Sequence, residues 1–300
     1  MDNKKQITYV GNGLSIMAPA KINLSLLIAG KRPDGFHEIE TIMAKINWYD
    51  EIFIEKGNNA GIELACKGQY WAPEGHDNLV YRAAQMLMEY CQSKGSVKIT
   101  LIKNIPAGTG LGSASSDAAT TLIGLNTYLK TKLDNNTLTK MAATLGSDVA
   151  FFLGGPLAFC SGKGEKIKKI DKIFDFLALL ILPGISVSTK KVYENYRHDL
   201  ALYEKLKHQI NDNILKNRID LVTKVCANML EVSCFGLNKE LAELKEEIEK
   251  LNIGKCCLSG SGSTLFCLFE RGDESEVIKY QNIIKEKFGC DCIIVSNNRW

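Results

Sequence analysis

Excess charge of either sign is almost missing from this sequence. Its 37 lysines and arginines face 34 aspartates and glutamates, a formal net charge of +3 over 300 residues. That balance excludes capture of nucleic acid or an anionic membrane by bulk charge, so an anionic ligand must be held by a local site. No apolar run approaches the ~18 residues a spanning helix needs; the longest, residues 176–183, is strand-sized. The opening stretch, MDNKKQITYV, has no apolar core of the kind a secretory leader carries. Histidine is scarce. His37, His76, His198 and His208 are the only four, and none has a cysteine or histidine partner at zinc-ligand spacing. Ten cysteines are present without a C-x-x-C, the close pairs being Cys256–Cys257 and Cys290–Cys292. Thiols in such a chain read as buried small hydrophobes in a reducing cytosol, and the expected location is cytoplasmic. No repeat of solenoid length occurs.

What is present is a globular composition, 45% hydrophobic and 24% charged, which excludes disorder as the main state. At roughly 100–200 residues per domain, the length predicts two domains or one large one. Strand and helix signals alternate in the first half. Residues 15–28 are β-prone but broken by Pro19, and residues 40–55 read as a second strand. Asp77 and Asn78 can cap a helix whose apolar face is Leu79, Val80, Ala83, Ala84, Leu87 and Cys91. Val97, Ile99 and Leu101 alternate with Lys98 and Thr100 in a clean strand over residues 96–102. A helix follows from about Ala114 to Leu129. Another runs from Asn136 to a left-handed C-cap at Gly146, and Ser147 and Asp148 begin a further one. Residues 157–170 form a hairpin turned at Gly162-Lys163-Gly164, and residues 176–182 a buried strand. Residues 192–251 are helical almost throughout, with solvated charged faces. Strands at 255–259 and 263–269, a helix at 274–288 and a strand at 292–296 complete an α+β chain. Its character changes near residues 160–170, and the expected domains are 1–165 and 166–300.

Chemistry concentrates in Lys103-Asn-Ile-Pro-Ala-Gly-Thr-Gly-Leu-Gly-Ser-Ala-Ser-Ser-Asp117, between a strand and a helix. Gly108, Gly110 and Gly112 let the backbone approach a ligand without Cβ interference. Their N–H groups and the following helix N-terminus can converge on phosphate oxygens, with Ser113, Ser115 and Ser116 adding hydroxyls. The loop is neither a Walker loop, since no lysine follows the glycines, nor a G-x-G-x-x-G fingerprint, since position 113 is serine. A purely structural turn has the same composition. A second small-residue cluster, Leu258-Ser-Gly-Ser-Gly-Ser263, separates two apolar strands. It reads either as a tight turn or as backbone closing over phosphates.

Taken in order, Pro19-Ala-Lys-Ile-Asn23, the Pro106–Ser116 loop and Ser259-Gly-Ser-Gly262 resemble the three motifs of the GHMP small-molecule kinases. Lys31-Arg-Pro-Asp-Gly-Phe-His37-Glu and Leu145-Gly-Ser-Asp-Val-Ala150 look like the branch of that family acting on 4-diphosphocytidyl-2-C-methyl-D-erythritol in non-mevalonate isoprenoid synthesis. The resemblance runs from about Ala18 to Phe269. It implies a two-domain GHMP kinase fold, with an N-terminal ATP domain like the second domain of ribosomal protein S5 and a ferredoxin-like C-terminal substrate domain. It implies ATP-dependent phosphorylation of an alcohol, with Mg²⁺.

Residue roles follow from the same resemblance. Asp148 matches the catalytic aspartate, which accepts the proton of the attacking hydroxyl, and Lys21 the lysine that holds it ionised and stabilises the transferring group. Phe36 and Tyr193 match rings that sandwich the cytosine, and His37 the residue that reads its edge. Asn23 and Thr189 match further substrate contacts. The ATP site is assigned to Lys103, Pro106, Gly108, Gly110, Leu111, Gly112, Ser113, Ser115 and Ser116, with Asn78 beside them; Gly260, Ser261 and Gly262 form the loop that closes on phosphate. No glutamate pairs with a loop serine as a magnesium ligand, leaving the ion to water and phosphate oxygens. The partners implied are ATP and a cytidine-diphosphate sugar alcohol, with no nucleic acid and no membrane; nothing sets the oligomeric state. Two other readings stand beside this one: a superfamily member acting on homoserine or mevalonate, and a non-enzymatic nucleotide-binding module, which would need neither Lys21 nor Asp148.

Overall fold

The computed structural model describes residues 6–171, 175–215 and 225–300. Residues up to 169 build a seven-stranded sheet from β1 (Ile7–Val10), β2 (Gly13–Lys31), β3 (His37–Lys56), β4 (Gly61–Gly68), β5 (Ser96–Lys103), β6 (Leu157–Gly162) and β7 (Lys166–Lys169). The order is β1-β2-β3-β5-β4, with β6 pairing the distal part of β3 and β7 pairing β6. Only β4 and β5 run parallel. β2 and β3 are long because each is bulged. Register shifts fall between Pro19 and Ala20, between Asn23 and Ser25, and between Ile28 and Gly30. Pro19 therefore does not break the strand. It sits at a bulge, where a missing N–H is tolerated. Four helices cover one face: α1 (Leu79–Tyr90), α2 (Ser113–Tyr128), α3 (Asn135–Leu145) and the single-turn α4 (Val149–Phe152). Leu14, Ile16, Ile52, Ile54, Val97, Ile99 and Leu101 meet the apolar faces of these helices in one buried cluster.

The second sheet is antiparallel, β8 (Leu177–Leu182), β9 (Cys256–Leu258), β10 (Leu265–Phe269) and β11 (Asp291–Ser296), in the order β11-β8-β10-β9. Its helices are α5 (Thr189–Glu194), α6 (Leu200–Leu215), α7 (Glu231–Leu237), α8 (Lys239–Glu249) and α9 (Glu274–Phe288). The helical reading of 192–251 needs correction at 226–229; its part at 216–224 lies outside the described residues. There the chain is extended against β2: Leu26 N–H donates to the Ala227 carbonyl (2.8 Å) and Met229 N–H to the Leu26 carbonyl (2.9 Å). Gly146 also departs from expectation. Its φ of 173° is extended, so α3 ends without a left-handed cap. All ten cysteines are free and eight are buried. Burial pushes the thiols of Cys160 and Cys292 up to about 12, which leaves them unreactive.

Candidate active site

Lys21 lies in the interior of β2 with 3% of its surface exposed. Its ammonium donates to Asn23 Oδ1 at 2.5 Å and stands 3.6 Å from Asp148 Oδ2. Asn23 is held in turn by donating to Thr41 Oγ1 (2.8 Å), whose hydroxyl donates to the Ser25 carbonyl (2.6 Å). Asp148 directly precedes α4 but makes no capping hydrogen bond, which leaves its carboxylate for Lys21 and the cleft. Burial pulls the Lys21 ammonium below its ordinary range, and the Asp148 carboxylate pulls it back up.

The glycine loop rests on this lysine. Lys21 N–H donates to the Leu111 carbonyl at 2.9 Å. A Cβ on Gly112 would come 3.0 Å from Lys21 Cγ and 3.1 Å from Phe152 Cζ. At Gly110, with φ of +83°, a Cβ would stand 2.0 Å from the Ser259 carbonyl oxygen, so only glycine fits there. Ser259 Oγ donates to the Gly110 carbonyl (2.9 Å), and Thr264 N–H to the Thr109 carbonyl (3.1 Å). The two glycine clusters, about 150 residues apart in sequence, are therefore locked backbone to backbone. The N-terminus of the 16-residue α2 opens beside them, its first N–H groups and its dipole aimed where an anion can sit.

The opposite wall is aromatic. The His37 ring lies 5.3 Å from that of Tyr193 and 5.7 Å, edge-on, from that of Tyr196. Burial, with Lys31 and His198 adding to it, holds His37 below its ordinary range, so at neutral pH the ring keeps one donor and one acceptor nitrogen. Phe36 is 55% exposed and lies under the Lys163 ammonium at 4.7 Å. Burial, then Asp148, raises the Tyr193 phenol, which stays protonated. Thr189 Oγ1 meets Ser261 Oγ at 2.8 Å. These walls enclose a cleft of about 1020 Å³. A proton acceptor beside a buried cation, a helix N-terminus on one side and stacking rings on the other can orient a polyphosphate against a hydroxyl.

The sequence matches two families of domain, GHMP kinases N terminal domain over residues 78–156 and GHMP kinases C terminal over residues 210–285. The 4-diphosphocytidyl-2-C-methyl-D-erythritol kinase of Citrifermentans bemidjiense is 36% identical over 260 residues, 86% of this chain and 90% of that one. The enzyme of the same name from Bacillus cereus is 38% identical over 258 residues, 85% and 88% of the two chains. This chain belongs to the 4-diphosphocytidyl-2-C-methyl-D-erythritol kinase family of GHMP kinases. A crystal structure of 4-(cytidine 5'-diphospho)-2C-methyl-D-erythritol kinase superposes with a TM-score of 0.75 at 31% identity, covering 95% of this chain and 100% of that one. A homoserine kinase from Cytophaga hutchinsonii also reaches a TM-score of 0.75, at 18% identity, which shows the shared fold alone.

Of the residues that the family resemblance singles out, the cleft brings together Lys21, Asn23, Phe36, His37, Gly108, Gly110, Gly112, Ser113, Ser115, Asp148, Thr189, Tyr193, Gly260 and Ser261. Asn78, Lys103, Pro106, Leu111, Ser116 and Gly262 do not line it. Asn78 caps α1, accepting from Val80 N–H and donating to the Pro73 carbonyl. Lys103 is buried between Asp50 (2.5 Å) and Asp117 (2.6 Å), whose carboxyl groups take up its hydrogen bonds. The Pro106 carbonyl accepts from the hydroxyls of Thr109 and Ser113, bracing the loop from behind. Leu111 is a core residue and Ser116 is fully buried. Gly262 packs toward Cys234 and Leu258.

Several cleft residues escaped the sequence reading. Lys31, Lys163, Lys190 and Arg197 put four cations on the wall; Lys163 stood in plain view at a hairpin tip, read only as a turn. Asn228 is another. Its side-chain amide donates to the carbonyls of Leu258 (2.8 Å) and Gly260 (2.7 Å) and accepts from Leu230 N–H (2.9 Å), so it holds the second glycine loop. No local signal marks it, because it lay inside a stretch of helical composition.

Proposed function

We infer that this chain transfers the γ-phosphoryl group of ATP to the 2-hydroxyl of 4-diphosphocytidyl-2-C-methyl-D-erythritol, a step of non-mevalonate isoprenoid precursor synthesis. The observation that carries this reading is the position of the Lys21–Asp148 pair, in one cleft with the glycine loop and the Phe36, His37 and Tyr193 rings. In this reading Asp148 accepts the proton of the attacking hydroxyl as the new O–P bond forms. Lys21, paired with Asp148, offsets charge on the transferring group. Loop amides of Gly108, Gly110 and Gly112 and the N-terminus of α2 hold the ATP phosphates, and Gly260 and Ser261 close over them. The cytosine stacks on Phe36 and Tyr193, with the neutral His37 reading its edge. The ATP-binding unit is the first sheet with α1–α4, which runs past the expected boundary at 165 to Lys169 because β7 pairs with β6, and the second sheet with its helices is the closing unit.

ATP chemistry calls for Mg²⁺ to offset phosphate charge. Among the described residues no group of three histidines, cysteines or carboxylates could cage a metal ion. That donor set fits an ion held mainly by phosphate oxygens and water, with Asp148 and the Ser115 hydroxyl within the same cleft. The test is ATP consumption by the purified chain with the cytidine substrate, homoserine or mevalonate as acceptor. Stimulation by the cytidine substrate alone is expected; turnover with homoserine or mevalonate and none with the cytidine compound would sink the assignment.

A further inference from the structure

Lys45 occupies the β3 position directly opposite Lys21 on β2. Directly opposed residues of an antiparallel pair project to the same face, so two lysines stand side by side beneath α4, an arrangement that costs stability unless each is compensated. Lys21 has Asn23 and Asp148. Lys45 has no carboxylate partner among the described residues. It is 1% exposed, and its ammonium donates to the carbonyls of Phe152 (3.1 Å) and Gly154 (2.8 Å).

The first is an orphan carbonyl at the C-terminal end of α4, where a cation also complements the backbone dipoles, and the second belongs to the turn that leaves it. The strand position is itself pinned, since Lys45 N–H donates to the Pro156 carbonyl and its own carbonyl accepts from Asn298 N–H, both at 2.8 Å. α4 has four residues and cannot hold itself together. Asp148 stands at its other end with no cap bond, and the Phe152 ring lies against Gly112 of the phosphate loop. One turn of helix thus connects the buried Lys45 to both the proton acceptor and the phosphate cradle.

We propose that Lys45 is a positioning residue for phosphoryl transfer, clamping the far end of α4 so that Asp148 stays beside Lys21. Lys45 does not line the cleft and acts only through α4. A buried, unpaired ammonium is costly, and an apolar side chain would pack here at less expense in stability. Burial alone pulls its pKa down to about 8, the mark of a cation kept in place by backbone carbonyls without a counter-charge. The role rests on the kinase reading above.

The test compares Lys45→Met, which keeps length and loses the donors, with Lys45→Gln, which keeps an N–H donor. In Lys45→Met, kcat is expected to fall on the order of tenfold, with KM for ATP and for the cytidine substrate within about twofold. Lys45→Gln is expected to recover at least part of that loss. Leu87→Ala, which truncates a fully buried α1 side chain, serves as a control for lost stability. A Lys45→Met kcat within twofold of wild type overturns the proposal. So does a kcat loss matched by Leu87→Ala, or a Lys45→Gln variant no better than Lys45→Met.

Hydrogen exchange needs no substrate and reads the clamp directly, in Lys45→Gln if Lys45→Met does not fold. Amides of residues 147–154 should exchange faster than in wild type while those of residues 79–90 do not change; unchanged exchange at 147–154 also overturns the proposal. A wild-type chain that fails to turn over the cytidine substrate would remove the functional reading and leave this exchange result to decide on Lys45 separately.

Discussion

Two buried lysines show how the surroundings of a residue decide its role. Lys21 keeps a single carboxylate at 3.6 Å and opens onto the cleft, whereas Lys103 is enclosed by two carboxylates at 2.5 and 2.6 Å. The first is arranged for transient charge, the second for a permanent tie between β3, β5 and α2. Replacing the proton acceptor tests the first arrangement. Asp148→Ala is expected to lower kcat by about 10²–10⁴-fold while ATP binding, followed by calorimetry, is retained; turnover equal to wild type would remove Asp148 from the mechanism. The second arrangement predicts a pH dependence. Burial pushes the Asp117 carboxyl up to about 8; Lys103 opposes this and Asp50 adds to it. In the unfolded chain the same group titrates near pH 3.9. Between those values the folded chain holds a proton that the unfolded chain lacks, so the stability contributed by Asp117 is full below about pH 4 and is lost as pH rises toward about 8. Asp117→Asn, neutral at every pH, should remove that slope. Urea unfolding at pH 5, 6.5 and 8 is expected to show variant and wild type diverging toward high pH, with the variant the more stable; parallel curves would show that Asp117 is ionised in the fold.

Among the elements, what the sequence made legible was local. The β5 strand, the glycine loop and α2 are contiguous, and each is encoded by its own alternation, glycine spacing or helical composition, so that half of the phosphate site could be read directly. β4 could not be read because it is an edge strand whose first six residues are all partly buried, without alternation, which erases the period-two signal. Pro19 misled because bulges are set by the partner strand. The partners of Lys103 lie 53 and 14 residues away, and Asn228 grips a loop 30 to 32 residues on; composition carries no trace of either. The interlocking of the two glycine clusters was equally invisible, and it gives the sharpest test at this scale. Gly110→Ala would place a methyl group into the Ser259 carbonyl at a φ of +83°, forcing the second loop away from the first. A loss on the order of a hundredfold in kcat/KM for ATP is expected, read by steady-state kinetics, with the midpoint of unfolding reduced. Wild-type kinetics in that variant would mean that the loops are not held at the observed distance during catalysis.

Among the described residues the two sheets share one buried cluster, beside the separate core that the first sheet forms with α1–α4. Ala20, Ile22, Leu24, Ile42, Ala44 and Ile46 project from β2 and β3 on the face away from Lys21 and merge with Leu179, Ile181, Leu258 and Phe266 of the second sheet. The extended residues 226–229 hydrogen-bond to β2, and the C-terminal Trp300 stacks on Tyr49 of β3 at 5.6 Å. A cleft whose walls come from both sheets needs this continuity, because domains joined by a thin polar interface would let the Gly260 loop drift from the Gly110 loop. The near-neutral charge has the same logic: attraction for two polyanions comes from amides and placed cations in the cleft, so the outer surface carries no bulk charge that would bind other anions. If the shared cluster couples the sheets, unfolding is one event. Far-UV circular dichroism and tryptophan fluorescence are expected to give coincident thermal transitions, the change in fluorescence coming from Trp48 and Trp300 where the sheets meet, since Trp71 is already exposed in the fold. A fragment ending at residue 165 would expose the Ala20–Ile46 apolar face to water and is expected to aggregate. A soluble, cooperatively folding 1–165 fragment that binds ATP, or two separate transitions in the intact chain, would show that the shared cluster does not couple the two sheets.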